Sequence, residues 1–470
     1  MVSVAFLNVP SGTRHPLTVY PPIGILSMGA GLRAAGHAVQ FVDADVLGLS
    51  PEAACKAVTQ QPDLIGLTLN IAQAAVAASY LETLRRTFPR AYLVAGGPLV
   101  SGVGERILDD FPLLDFAVLQ EGERAILDLA ELATGSRTPR EVRNLIWRGP
   151  HGPVTNGVER IPDLDALPLP DYSLVAPFLH RYSAPEPSIA APSLAIMCTR
   201  GCPFECAFCS SPGTWGRRMT FRSVPSIIEE IVYLRERFGV REIFFQDDTL
   251  NARPAWFFQL TDAIRERNLH KQILFRAPFR VNQAIVTEEL LRRAREAGFW
   301  LIFYGVESGN QAMLDRMGKG VAVADIERAF ALTSQAGLCS FASFMVGNEG
   351  ETEATFRDSL ALLHRIQPDF GGFAAAAPFP GSRLESHARA AGHVLEPDYR
   401  KYRWGDAILR TEALSAADIV RLAHQGNQVF SEITRSLQGR HAQFKRRRKR
   451  PAKWRTVLHD IAGCFRRKAA

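Results

Sequence analysis

The chain has 470 residues, enough for two or three domains, and its 47% hydrophobic and 22% charged content is ordinary for a globular protein. No apolar run is long enough to span a bilayer, and the start MVSVAFLNVP lacks the basic segment and long apolar stretch of a signal peptide, so the expected location is cytoplasmic. The net charge of +7 is uneven: residues 440–470 hold twelve Lys/Arg and one Asp, a net +11, so the rest of the chain carries −4.

The first 140 residues alternate strand and helix. SVAFLNV, AVQFVDADV, DLIGLTL, AYLVAGG and FAVLQEGE read as five buried strands, with helices such as GILSMGAGLRAAG and RAILDLAELATG between them. Such alternation predicts an α/β fold with a doubly wound, Rossmann-like parallel sheet over 1–140, ligands binding at the carboxyl ends of the strands. Residues 141–190 change character. NLIWRGPHGPVTNG suggests a hairpin, and the proline-punctuated stretches after it read as a linker. From 191 to 385 the βα alternation resumes with SLAIMC, REIFFQD, ILFRAP, WLIFYGV, SFASFMV and GFAAAA. Six βα units in that span predict a (β/α)6 partial TIM barrel with its site at the strand ends. A helical region is expected over 386–440 and a basic tail over 441–470.

Four of the seven cysteines lie in CTRGCPFECAFC, residues 198–209, directly after the first strand of the second series. Bunching of this kind points to metal or redox chemistry rather than a disulfide framework. Cys55, Cys339 and Cys464 stand among apolar residues and read as incidental thiols. A zinc site would need a fourth ligand; His180 and His270 are distant in sequence, which leaves Cys198. Three thiolates on one short loop can instead hold three irons of a 4Fe-4S cluster and leave the fourth iron open.

The spacing Cys202-x-x-x-Cys206-x-x-Cys209, with Phe208 before the third cysteine, resembles the radical SAM superfamily. The resemblance implies that these three cysteines ligate a 4Fe-4S cluster whose open iron takes S-adenosylmethionine (SAM). Cys198 lies outside the motif and reads as a core thiol. The resemblance also implies SAM contacts by Phe208, by Asp247 and Asp248 in FFQDDTL, and by Glu307 and Ser308 in YGVESGN, with Arg280 a further candidate. MVGNEGET is similar to the family's adenine-side loop, with Asn348-Glu349 where a proline is usual.

PPIGILSMGAGLRAAGHAV, AGGPLVSG and LQEGERAILDLAEL resemble the cobalamin-binding domain that precedes many radical SAM barrels. This implies cobalamin contacts by Pro22, Gly24, Thr68, Gly96, Gly97, Glu121 and Gly122. The Asp-x-His-x-x-Gly signature of a cobalt-ligating histidine is absent after the first strand. His15 has the wrong spacing, and Asp43 to Gly48 place Asp45 where the histidine belongs. The resemblance then implies cobalt without a protein lower ligand; a domain that has lost cobalamin and serves only as a scaffold is the alternative.

The implied activity is reductive cleavage of SAM followed by methylation of an unactivated carbon, or phosphorus, in a small-molecule or lipid-like biosynthetic intermediate. Oxidative cyclisation or carbon–carbon bond formation without methyl transfer is the alternative. A non-catalytic cobalamin sensor is disfavoured by the intact cysteine triad. A methylthiotransferase would need three more cysteines in the first domain, where only Cys55 stands. The implied electron donor is a flavodoxin or ferredoxin. In the tail, Trp454, Val457, Leu458, Ile461 and Phe465 make one apolar stripe on a helix flanked by Lys and Arg. That pattern suggests peripheral contact with an anionic membrane at the inner face, with a solvated tail as the plain alternative and nucleic acid the least favoured partner.

Overall fold

The computed structural model describes residues 1–11, 20–182, 187–403 and 405–436. They form two compact units that interleave in sequence. One comprises 1–176, 200–220 and 377–410; the other comprises 177–199, 221–376 and 411 onward.

The first unit is built on a seven-stranded sheet. Its strands are β1 (Ser3–Asn8), β2 (Ala38–Asp43), β3 (Leu64–Thr68), β4 (Tyr92–Gly96), β5 (Phe116–Val118), β6 (Leu145–Gly149) and β7 (Gly152–Thr155), in the order β2-β1-β3-β4-β5-β6-β7. The first five are parallel and buried on both faces, as their near-continuous apolar runs require. The order in which strands are added reverses between β1 and β3, so the switch point lies beside Asn8. Asn8 is in register with Asp43 on one side and Thr68 on the other, and Thr68 with Gly96. These four residues make one row along the carboxyl edge of the sheet. The hairpin read as part of the linker extends this sheet: β6 pairs antiparallel with β5 and β7 with β6. Leu145 and Ile146 are fully buried there, so the hairpin hides apolar surface that a free linker would expose.

The second unit holds a six-stranded parallel sheet. Its strands are β8 (Ser193–Ile196), β11 (Glu242–Phe245), β12 (Leu274–Phe279), β13 (Phe299–Glu307), β14 (Cys339–Val346) and β15 (Phe370–Ala375), paired in chain order. The two-residue strands β9 (Thr199–Arg200) and β10 (Thr220–Phe221) bracket the cysteine stretch. Local chemistry sets the connecting helices. Helix Val224–Phe238 starts where the Ser223 side chain accepts the Ser226 N–H, carries a proline in its first turn, and stops at Gly239, whose φ of 64° is left-handed. Its Ile227, Ile231, Leu234 and Phe238 recur every three or four residues and are all buried.

Alternation along the strands, with a register shift between β12 and β13 at Phe275/Arg276, separates two aromatic groups. Phe245, Phe275 and Phe299 pack with Phe257 of helix Pro254–Glu266. Phe303 packs against Phe244 and Phe341. Among these rings lies a buried ion pair, Arg276 Nε to Glu242 Oε1 at 2.9 Å, with the guanidinium 5.4 Å from the Phe244 ring centre. Glu242 also accepts the backbone N–H of Ile189 and Ala190, so the pair ties the entry segment to the amino end of β11. At the far edge, Asn427 of helix Ala416–Ser436 accepts from Phe373 N and donates to Phe373 O, both at 2.9 Å. Its amide takes the place of a neighbouring strand and covers the exposed edge of β15. Among the described residues no helix is long and apolar enough to cross a membrane.

Candidate active site

The cysteine loop begins with a sterically forced glycine. Gly201 has φ +96°, and a Cβ there would lie 2.4 Å from the Arg218 carbonyl oxygen. That close approach brings the loop's two ends together, and Cys202 N donates to Gly216 O at 3.3 Å. Cys202, Cys206 and Cys209 are all partly exposed, as is Phe208. Cys209 N donates to Cys206 O, and Ser211 N reaches Cys209 Sγ at 3.4 Å, the kind of N–H contact that steadies a thiolate. Cys198, by contrast, is fully buried, and burial pushes its thiol well above the usual range. That environment opposes the thiolate a fourth ligand would need. Among the described residues, no three His, Cys, Asp or Glu side chains converge as ligands of one metal ion. A cubane differs in what it asks for, since each thiolate binds its own iron.

The loop belongs to the first compact unit. Arg200 carries its two guanidinium ends to Glu121 Oε1, at 2.8 Å, and Glu123 Oε1, at 2.5 Å. Helix Ser211–Trp215 packs on helix Pro98–Val103, which starts directly after Gly97. On the loop's other side, Leu384 N donates to Ala207 O at 2.8 Å, and Arg383 donates to the Glu205 carbonyl.

The residues expected to face a corrinoid lie along the carboxyl edge of the first sheet. Pro22 precedes helix Ile23–Ala34, and Gly24 is exposed with open space where a Cβ would stand. Thr68 and Gly96 are neighbours in register. Gly97 has φ +101°, and a Cβ there would lie 2.8 Å from the Leu69 carbonyl oxygen. Gly122 lies under Met28, and Glu121 is buried, accepting Ile161 N at 2.5 Å as well as Arg200. Gln120 sits at φ 55°, its N–H donating to Ser101 Oγ, and its side-chain Oε1 is buried with no protein partner. Beside the switch point, Asn8 donates to Asp43 at 2.9 Å and Gln73 donates to Asn8 at 2.8 Å. Asp43 also caps helix Ala44–Leu47, and Gly48 ends it at φ 63°, so the Asp43–Gly48 spacing is that of a short capped helix. His15 lies outside the described residues.

The acidic residues at the strand ends belong to the second unit. Asp247 is buried and accepts Cys198 N at 3.1 Å, Thr199 N at 2.5 Å and Thr199 Oγ at 2.6 Å. Burial pushes its carboxyl up to about 7, against the pull of those three donors. Asp248 beside it is exposed. Glu307 ends β13 at φ 66°, an uncommon left-handed conformation for a residue with a Cβ, and its carboxylate meets Lys319 Nζ at 2.9 Å. Gly305 makes room for this pair: a Cβ there would lie 2.4 Å from Glu307 Oε1. Ser308 is fully buried and accepts Asn310 N at 3.2 Å. Arg280 donates to Asn282 Oδ1 at 2.7 Å and to the Lys319 carbonyl. In the loop after β14, Glu351 accepts Gly347 N at 2.5 Å and Asn348 N at 3.3 Å, and burial lifts it to about 7.

Two cations have no motif to mark them in the sequence. Lys319 lies between Gly318 and Gly320, both at positive φ, so the flanking glycines were the available signal. Arg200 is the cation directly before Gly201-Cys202, and Glu123 its second acidic partner; charge next to a cysteine motif is common enough to pass unnoticed.

A doubly wound sheet, joined in one unit to a loop of three cysteines, fits the expected pairing of a ligand-binding domain with an iron–sulfur loop. Comparison with known proteins agrees. The B12 binding domain model matches residues 13–130, and the Radical SAM superfamily model matches residues 196–363. The chain thus carries a B12 binding domain ahead of a radical SAM domain. It is 27% identical over 408 residues to an uncharacterised methyltransferase of Pyrococcus horikoshii, covering 86% of each chain. It is 27% identical to the anaerobic magnesium-protoporphyrin IX monomethyl ester cyclase of Cereibacter sphaeroides, covering 88% of this chain and 67% of the cyclase. Its fold is similar to the radical S-adenosylmethionine methyltransferase TsrM of Kitasatospora setae, solved with cobalamin and a 4Fe-4S cluster. The TM-score is 0.70 at 18% identity, over 90% of this chain and 85% of that one. The family brings a 4Fe-4S cluster, SAM and cobalamin as its cofactors.

Proposed function

We propose that this chain is a cobalamin-dependent radical SAM methyltransferase that modifies an unactivated carbon, or phosphorus, of a small-molecule or lipid-like intermediate. The observation that carries the reading is the cysteine loop folded into one compact unit with the ligand edge of the corrinoid-type sheet.

The residues present fit these groups. Cys202, Cys206 and Cys209 supply three accessible sulfurs for the cluster, and Ser211 N is placed to donate to one of them. Gly24 and Gly96 leave the sheet edge open to a flat ligand. The partnerless Gln120 oxygen offers an acceptor to the amide side chains of a corrin. Lys319 stands beside Glu307 at the end of β13 and Arg280 beside the Lys319 backbone, a pair of cations that suits the carboxylate of SAM. When bound, the cluster supplies the electron for reductive SAM cleavage and cobalamin carries the methyl group.

The chain's own residues position these partners. Asp247 holds Cys198 and Thr199 by their backbone, fixing the strand exit three residues before Cys202. Lys319 holds Glu307 in its left-handed conformation, so the carboxylate needs little rearrangement on binding. Asp248, exposed beside the buried Asp247, is the proposed contact for the SAM amino group. Phe208 and Ser308 complete the proposed SAM contacts. Pro22, Gly24, Thr68, Gly96, Gly97, Glu121 and Gly122 remain the proposed corrinoid edge, to which Gln120 is added.

The second reading, oxidative cyclisation without methyl transfer, is favoured by the likeness to the Cereibacter sphaeroides cyclase. Product analysis of the anaerobically reconstituted full chain separates the two. Methylation predicts S-adenosylhomocysteine and 5′-deoxyadenosine in about equal amounts, alongside a methylated product. One SAM consumed per turnover with no methylated product would sink the methyltransferase reading. The proposed electron donor is a flavodoxin or ferredoxin.

The basic tail, 441–470, lies outside the described residues. We carry forward its amphipathic pattern as a peripheral contact with anionic membranes, its Lys and Arg each contributing about 1 kcal/mol near the surface. Full-length protein should float with phosphatidylglycerol-containing liposomes while a 1–439 truncation stays in solution. Equal behaviour of the two removes the idea.

A further inference from the structure

Arg200 sits at an unusual junction. It directly precedes Gly201-Cys202, so any movement of its side chain is felt at the first cluster cysteine. Its guanidinium is buried, paired with Glu121 and Glu123, and packed 5.1 Å from the centre of the Trp215 ring at the loop's far end. Glu121 and Glu123 flank Gly122 in the segment that leaves β5 at the corrinoid-type edge. A second tie runs in parallel, because helix Ser211–Trp215 packs on helix Pro98–Val103, the continuation of Gly97. Both loops at the β4 and β5 ends of the sheet are thus fastened to the cysteine loop. Buried pairs of this kind leave an uncompensated charge if one member shifts, so the connection is stiff.

We infer that Arg200 is a positioning residue that couples the two sites, so that a corrinoid on the sheet edge and a cluster on the cysteine loop stabilise one another. The inference rests on the cofactor reading above. A ligand that orders the Glu121–Glu123 segment also orders Arg200 and the start of the cysteine loop. Linkage then requires the effect to be reciprocal.

The test uses full-length protein reconstituted without oxygen, with hydroxocobalamin as the probe. Iron release to a ferrous chelator is timed with and without hydroxocobalamin, and the hydroxocobalamin Kd is measured with and without the cluster. In the unaltered protein, hydroxocobalamin should slow iron release about fivefold or more, and the cluster should tighten the Kd by a similar factor. Arg200→Met should lower both factors by half or more while each group still binds alone, the helix contact carrying the remainder, and Arg200→Lys should restore part of the coupling. Glu123→Gln, nearly isosteric, should weaken it and serves if Arg200→Met does not fold. Binding of both groups with no mutual effect, or coupling undiminished in both Arg200→Met and Glu123→Gln, overturns the inference and leaves the methyltransferase reading standing. Failure of the unaltered protein to bind hydroxocobalamin overturns both.

Discussion

Cys206→Ala should abolish reductive SAM cleavage and lower iron from about four atoms per chain to below one. Cys206 is the central thiol of the loop, partly exposed, and its carbonyl accepts the N–H of Cys209. Two thiolates cannot hold a cubane against dissociation, and without it SAM has no electron source. Cys198→Ala is the control. That thiol is fully buried and held in its protonated form by burial, so iron content and cleavage should both persist. Iron and sulfide analysis with mass spectrometry of SAM products checks both variants. Undiminished cleavage in Cys206→Ala, or zinc in place of iron in carefully oxygen-free protein, would contradict the cluster assignment.

The second large effect is expected at Asp247. Its carboxylate accepts two backbone N–H groups and one hydroxyl at the exit of β8. All three donors reach Oδ1, so Asp247→Asn keeps one acceptor for them but sets an amide N–H₂ against Cys198 N, 3.3 Å from the second oxygen, at a cost of about 1–3 kcal/mol. The same change should alter how stability depends on pH. Burial holds the folded-state carboxyl near 7, above its ordinary value, so between about pH 4 and 7 the folded chain binds more protons than the unfolded one. The contribution of this group to stability is therefore present at low pH, declines by up to about 1.4 kcal/mol per pH unit, and levels off above about 7. Thermal unfolding at pH 5 and pH 8 should show a smaller difference in Asp247→Asn than in the unaltered protein. Parallel pH slopes in the two proteins would show that the carboxyl titrates normally, and the placement of Asp247 as a buried clasp would be wrong. Glu351 is raised in the same direction by burial and adds to the background slope in both proteins.

Much of the architecture is legible in the chain itself. The apolar runs of β1, β3 and β4 leave no face for water, which makes a parallel sheet the only economical arrangement. The hairpin at 145–155 is visible as a hairpin but not as part of the sheet, because strand partners at an edge are chosen by surfaces that local sequence does not describe. Asp247 and Asp248 show the same division within a site. As neighbours in FFQDDTL they look equivalent, yet alternation along the chain buries one on the β8 backbone and leaves its neighbour exposed.

By itself, the sequence determined the chemistry: three thiols at fixed short spacing, two series of βα units, and a polar row where strands end. Spacing of a few residues decides which groups can share one loop, so that information is local. The tertiary structure alone decided which unit owns the cysteine loop, and that Glu121 and Glu123, some 80 residues away, close on Arg200. Burial strengthens an ion pair and chooses its members by distance in space, and distance in space is set only when the whole chain has folded.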